Sequence, residues 1–502
     1  MALYLQSKKF DGETGDSMSI MLNGVDADKV GINKGDKVLL FWRDLSLYVD
    51  VIITDTETQP GSVGIFEDIW SKYQLPSGET VTVDLFDRPK SIEFIKDKLL
   101  GKKLTEDELA VITSDISSRK IRETEIAYFM ATFFNPGFDD EEILWTIKGM
   151  ANAGEILDFR NIRDNGNMVV DKHSIGGVAA KGITPLLVPI VASFDLVIPN
   201  TSTRAITTPA GTTDILEVVM PVTLTSQKVM EVVKEVGACM IWGGALKLSP
   251  ADDVLINVER GLHIQSFQKM LVSIVAKKVS MGITHIIIDI PYGPGTKVEK
   301  PDDVVELEKG FKKLFHKVGI ECEVFSRHVT APDGMGIGPS LEVRDILWVF
   351  ERDEKRPIKL EKTVVEMAGK LLEMTGRVDP GKGRTAAMEK LESGEAYEKF
   401  WEIAMAQGAK KRIDSSSIEV GEYVSTFKAN KSGTIKFVDN KEIVNVARGL
   451  GNPFIKEAGV YLYKTSGDRV EKGEPLMEIY ASSQERLGTG TDAVDIDQIF
   501  RL

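Results

Sequence analysis

"VVDKHSIGGVAAKG", residues 169 to 182, sets an acid, two lysines, an imidazole, a hydroxyl and three glycines behind a pair of valines. An apolar strand that runs into a polar, glycine-containing turn and then a helix marks the carboxyl end of a strand in an open α/β sheet. Ligands bind such sheets there. The glycines let backbone N–H groups approach an anion closely. Lys172 adds a full positive charge, Ser174 adds a hydroxyl donor, and the following helix offers its N-terminus. The stretch reads as a site for phosphate or another oxyanion, with His173, one of five histidines in the chain, at its centre. Two familiar phosphate motifs are excluded. Gly177 to Gly182 is followed by Ile183 where a P-loop needs Lys, and no GxGxxG is present.

Strands and helices alternate outward from this point. "NMVVD", "DLVIP", "ACMIW", "THIIIDI" and "IECEVF" are short apolar runs. Between them lie "GITPLLVPIVASF", helical despite Pro185 and Pro189, and the amphipathic "SQKVMEVVKEVG", "QSFQKMLVSIVAKKVSMG" and "DVVELEKGFKKLFHKVG". Apolar strands alternating with helices predict a mainly parallel sheet buried on both faces. The flanks differ. Residues 1–84 alternate in β fashion with turns at "NKGD" and "PSGE", and "SVGIFEDIW" suggests one short helix there. Residues 88–166 show apolar residues at helical spacing, with "TEDE" and "DDEE" as helix starts. Residues 421–502 return to strands and turns. The expected fold class is multidomain α/β and α+β. It comprises a small β-barrel-like domain (1–84), a helical domain (88–166, joined by about 250–282), an α/β domain with a mainly parallel central sheet (167–420) and a C-terminal α+β domain (421–502).

Composition narrows the function. The net charge of −14 over 502 residues argues against a nucleic-acid polymer as partner, because such binders need excess Lys and Arg. Small anionic substrates remain compatible if positive charge is concentrated locally. No stretch approaches a membrane span or a signal peptide, so a cytoplasmic protein is expected. The two cysteines, Cys239 and Cys322, lie in or beside apolar runs and read as buried thiols; no Cys/His spacing suggests a metal.

Further groups suit an anion. "PNTSTRAITTPAGTTDILE" (199–217) follows the second strand and gathers Thr201, Ser202, Thr203, Thr207 and Thr208 around Arg204, with Thr212 near a helix start. Hydroxyls and one arginine suit a second anionic group and a ribose. Ser273 and Lys277 are four apart and share a helix face. Lys278 beside them reads as a lysine favouring the helix C-terminal dipole. "IDIPYGPGTKV" ends a buried strand in a turn that projects Lys297.

With these residues in view, "VVDKHSIGG" resembles the signature of the thymidine and pyrimidine nucleoside phosphorylase family, over roughly residues 88 to 490. The N-terminal extension and "TRAITTPAGTTD" resemble its nucleotide-specific, AMP-cleaving branch. The resemblance implies phosphorolysis of a nucleoside 5′-monophosphate, AMP preferred, giving adenine and ribose 1,5-bisphosphate. No metal or redox cofactor is implied; inorganic phosphate is a co-substrate. It assigns the attacking phosphate to Lys172, Ser174 and Thr212. The nucleotide falls to Gly177, Thr203, Arg204, Ala205, Ile206, Thr207, Thr208, Ser273 and Lys297, with Lys277 toward the base. A homodimer or larger homo-oligomer is implied as well.

The resemblance breaks at one position. The branch carries an aspartate, the suspected proton donor, eight residues before the serine matching Ser273; here that residue is Gln265. An amide can hydrogen-bond the base but carries no acidic proton. His173 protonates the leaving base instead, or His263 does, or the preferred base is not adenine. A pyrimidine nucleoside phosphorylase and a catalytically silent nucleotide-binding protein are the rival readings.

Overall fold

The computed structural model describes residues 2–15, 18–160, 162, 168–180, 182–205, 208–262 and 266–502. The chain is a mixed α/β, multidomain protein that divides into two compact units, Met1–Glu155 with Ser249–Ala276, and Ile156–Leu248 with Lys277–Leu502.

In the first unit the strands Leu3–Lys9, Ser62–Ile65, Ser19–Asn23, Leu45–Thr54, Lys37–Trp42 and Thr80–Asp84 close into a barrel in that order. Period-two alternation aims Leu3, Leu5, Val38, Leu40, Val81 and Val83 inward, all buried. The expected helix is Glu67–Tyr73. A second helix, Gly24–Val30, is not among the elements expected from the sequence. It is defined by its ends: Asn23 accepts from the Val25 N–H, and Gly31 stops it at φ 73°.

The helices Ser91–Leu99, Glu106–Ser117, Glu123–Thr132 and Asp140–Asn152 follow, with Pro250–Leu262 and Phe267–Val279 returning later in the chain. The acid-rich starts act as expected: Thr105 with Glu108, and Asp139 with Glu142, form capping boxes. Glu142 also pairs with Lys98 at 2.7 Å, and both side chains are buried.

In the second unit Glu321–His328, His285–Tyr292 and Val170–Ser174 are parallel neighbours, as are Ile198–Ser202 and Ala238–Trp242. A parallel bridge between Val169 and Val197 links the two sets. Two boundaries differ from expectation. Lys172, His173 and Ser174 are strand residues and not turn residues, because they pair in register with Ile287, Ile288 and Asp289. The strand expected at "DLVIP" is Ile198–Ser202, so Thr201 and Ser202 also belong to a strand, opposite Ile241 and Trp242. Polar residues continue both strands because a parallel partner goes on supplying backbone hydrogen bonds after the apolar run ends.

The helix Ile183–Ala192 is buried along all ten residues and continues through Pro189. It packs with Ile358–Met374 and Glu395–Gln407 in one core, where each large apolar side chain contributes about 1.5–3 kcal/mol. The helices Pro339–Glu351, Ile358–Met374, Gly383–Glu392 and Glu395–Gln407 had not been resolved one by one in the sequence. Beyond them an antiparallel sheet runs Gly336–Ile337, Gly459–Leu462, Pro475–Ala481, Tyr423–Lys428. The helices Asn440–Gly449 and Gln484–Asp492 share its core. Cys239 is buried, whereas Cys322 is only partly so.

Candidate active site

The site is built on Asp171, which is fully buried at the start of the DKHS strand. One carboxylate oxygen accepts from the Lys172 N–H (2.7 Å) and from Asn200 Nδ2 (2.7 Å). The other accepts from Lys278 Nζ at 2.5 Å. Asn200 also donates to the Lys172 carbonyl at 3.2 Å, which ties the second strand to the first. Lys278 lies in the last turn of the helix Phe267–Val279, as expected, and is also buried and ion-paired, because a buried carboxylate needs a counter-charge.

Lys172 is buried, with Nζ 3.5 Å from the Thr184 hydroxyl. Burial, reinforced by Arg327, lowers its pKa against the pull of Asp289 and Asp171. Ser174 donates to Asp289 Oδ2 at 2.7 Å. Asp289 also accepts from Arg327 Nε at 3.0 Å, and Arg327 grips Asp333 with both terminal nitrogens at 2.6 and 2.8 Å. Burial pushes the Asp289 carboxyl up. Arg327, Lys172 and the Ser174 hydrogen bond outweigh that, and the group stays an anion below its usual range. Lys172 and Ser174 thus arise from one strand and are fixed by a carboxylate–arginine frame on the next two.

His173 lies between them, partly accessible. Its pKa is held well below 6.5, first by burial and then by Lys278, Lys172, Lys277 and Lys297. At neutral pH it is an uncharged imidazole in a lysine-rich field, which attracts anions.

The second loop is organised by Asp214 in the short helix Thr212–Leu216. Asp214 Oδ2 accepts from the Ala205 and Gly211 N–H groups at 2.7 and 2.8 Å. Gly211 has no room for a side chain: a Cβ would meet the Thr203 carbonyl oxygen at 2.4 Å. Ser202 and Thr213 hydroxyls lie 2.9 Å apart, which places Thr212 beside the end of its strand. Thr208 donates to the Ala210 carbonyl at 2.8 Å and shapes the loop, while Thr203 is exposed. Arg204 donates to Asp214 at 3.2 Å and to Glu217 at 3.1 and 2.8 Å, over the Trp242 ring.

Gly177 holds φ +90°, and a Cβ there would meet the Lys297 backbone nitrogen at 2.5 Å. The glycine turn after the strand Val170–Ser174 and the Lys297 turn therefore touch backbone to backbone. Lys277 enters through its field on His173. Ser273 belongs to the first unit, where its buried hydroxyl donates to Asp252 at 2.6 Å. Ile206, Thr207, His263 and Gln265 lie outside the described residues.

Two family models match: the glycosyl transferase family a/b domain over residues 166–290, and the pyrimidine nucleoside phosphorylase C-terminal domain over 434–496. The chain is 39% identical to AMP phosphorylase of Thermococcus sibiricus over 477 residues, 95% of this chain and 93% of that one. It is 38% identical to AMP phosphorylase of Methanosarcina mazei (93% of this chain, 91% of that one) and 38% to that of Pyrococcus furiosus (96% and 94%). The chain belongs to the AMP phosphorylase family. Anthranilate phosphoribosyltransferase of Thermus thermophilus shares the fold, with a TM-score of 0.53 at 17% identity over 63% of this chain and 99% of that one.

Membership in the AMP phosphorylase family makes this chain a pentosyltransferase of the phosphorylase type. The expectation from "DKHSIGG" and "TRAITTPAGTTD" therefore holds. The structure adds Asp171, Asn200, Asp289, Arg327, Asp333, Asp214, Glu217 and Lys278 to the site's frame. Strand-end position could have flagged Asp289 and Arg327; nothing local could have flagged Lys278, whose partner is 107 residues away. Among the described residues no helix is long and apolar enough to cross a membrane.

Proposed function

We propose that this chain catalyses phosphorolysis of AMP, in which phosphate attacks ribose C1′ and displaces adenine to leave ribose 1,5-bisphosphate. What supports this reading most is the pairing of two anion-suited elements on adjoining strands: the Lys172–Ser174 strand and the Thr203–Thr212 loop, linked by Asn200 and Asp171. One reaction needs two phosphates near each other, and this chain sets a cationic element at the end of each strand.

In the proposed scheme Lys172, Ser174 and Thr212 hold the attacking phosphate. Gly177, Thr203, Arg204, Ala205, Thr208 and Lys297 hold the nucleotide, with Arg204 on its 5′-phosphate and Lys277 toward the base. Phosphate is already a nucleophile, so no Ser or Cys needs activation. Its negative charge stabilises C1′ as that carbon becomes cationic. His173 gives the leaving base its proton: burial keeps the ring neutral first and the lysines second, and two bound phosphates offset the lysines' share and so favour the imidazolium. The scheme calls on no metal or redox cofactor. It also keeps the four-domain division with bounds at 84, 88–166, 167–420 and 421–502, a cytoplasmic setting and a homo-oligomer.

The test is a panel of AMP, CMP, UMP, adenosine, uridine and thymidine, with and without phosphate, followed by chromatography of the free base. Adenine release from AMP that requires phosphate supports the reading. Preferential cleavage of a nucleoside refutes the nucleotide assignment, and tight AMP binding without turnover refutes catalysis. His173→Ala and Gln265→Asp in the same assay locate the acid.

A further inference from the structure

Arg204 is not an idle cation. Both of its terminal nitrogens are engaged by Glu217, at 3.1 and 2.8 Å, and one also reaches Asp214 at 3.2 Å. Glu217 carries a second cation, Lys456, whose Nζ lies 3.0 Å from Oε2 across 239 residues of sequence. We propose that Lys456 and Glu217 are positioning residues that hold Arg204 ready for exchange and so set the affinity for the nucleotide's 5′-phosphate. The inference rests on the reading of residues 203–208 as the nucleotide loop.

The charges explain the arrangement. A guanidinium that takes a phosphate through its fork must turn away from Glu217, since both ligands want the same pair of donors. A carboxylate left bare beside a phosphate dianion repels it. Glu217 is not left bare, because Lys456 keeps hold of Oε2. Lys456 is placed independently of Arg204: its carbonyl accepts from the Ser340 N–H at 3.1 Å, at the start of the helix Pro339–Glu351. Asp214 does not compete in the same way, since the Ala205 and Gly211 N–H groups fix it within the loop. The Trp242 ring, 5.1 Å from the guanidinium carbon, offers a flat face over which Arg204 can turn while keeping its stacking contact. Glu217, held down to about pKa 2 by Arg204 and Lys456, remains ionised across the working range. The exchange is therefore driven by the incoming phosphate and not by protonation.

The experiment measures steady-state kinetics of the full chain and of Lys456→Met and Lys456→Arg, varying AMP and phosphate separately. Wild type is assayed first. If it releases no adenine from AMP, the functional reading has failed and this inference falls with it. With wild type active, Lys456→Met is expected to raise KM for AMP about fivefold, the size of one partly exposed charge pair. The KM for phosphate and the kcat should stay close to wild type, and Lys456→Arg should restore the KM for AMP. An unchanged KM for AMP in Lys456→Met overturns the inference. So does a fall in kcat together with a rise in both KM values and a lowered melting temperature, since that is the pattern of a merely structural contact.

Discussion

Asp171 and Lys278 meet at 2.5 Å with both side chains buried, the acid in the strand Val170–Ser174 and the lysine from a helix 107 residues later. The pair orders the strand rather than binding substrate, since Asp171 uses its other oxygen on the Lys172 N–H and Asn200. Lys278→Met leaves a buried carboxylate without its counter-charge. The expected loss of stability is about 3–5 kcal/mol. Adding Asp171→Asn to the same chain should recover much of it. Thermal melts of the single and double variants check this, and an additive double variant contradicts the pairing.

Arg204→Met removes a charge-assisted fork from the proposed 5′-phosphate site. The expected fall in kcat/KM for AMP is roughly 10- to 150-fold, the range for hydrogen bonds to charged groups. The KM for phosphate should hardly move. A matching rise in the KM for phosphate would place Arg204 on the attacking anion instead.

Gly211→Ala puts a methyl group 2.4 Å from the Thr203 carbonyl oxygen, a backbone atom that cannot swing aside as a side chain could. The loop must open to admit it, and Asp214 then loses its hold on the Ala205 and Gly211 N–H groups. The expected result is weaker AMP binding by calorimetry with phosphate binding retained. Unaltered AMP affinity would show that the close crossing of this loop does not position the nucleotide.

His173 gives a pH signature. Burial and the four lysines hold its folded pKa well below 6.5, so between that folded value and 6.5 the unfolded chain binds more protons than the folded one. This contribution to stability is complete above about pH 6.5 and is lost as pH falls through the window toward the folded pKa. His173→Gln should flatten that part of the curve of stability against pH. Phosphate should raise the His173 pKa, seen as a shift of its ring resonances toward the imidazolium position. Resonances indifferent to phosphate would remove His173 from the anion site.

The residues that touch substrate in the proposed scheme were legible because their types are unusual in a strand end: Lys172, His173, Ser174 and Arg204 are hard to place in a core. The frame behind them was not. Asp171 stands inside the motif, where the sequence suggests that it orients its neighbours, but its partner Lys278 is brought to it only by folding, across 107 residues. Glu217 and Lys456 are further apart still. The polar strand ends were misplaced because local pattern stops where apolar residues stop, whereas pairing with residues 285–292 and 238–242 carries the strands on. Gly177 was singled out for its freedom near an anion. The structure gives it a second reason, the Lys297 backbone against its α-carbon.

The most direct measurement incubates the purified chain with AMP, with and without inorganic phosphate, and follows adenine and ribose 1,5-bisphosphate together. Equal amounts of both products, appearing only when phosphate is present and far faster than from adenosine or thymidine, is the predicted result. Adenine release without phosphate, or faster phosphorolysis of the nucleosides than of AMP, would contradict it.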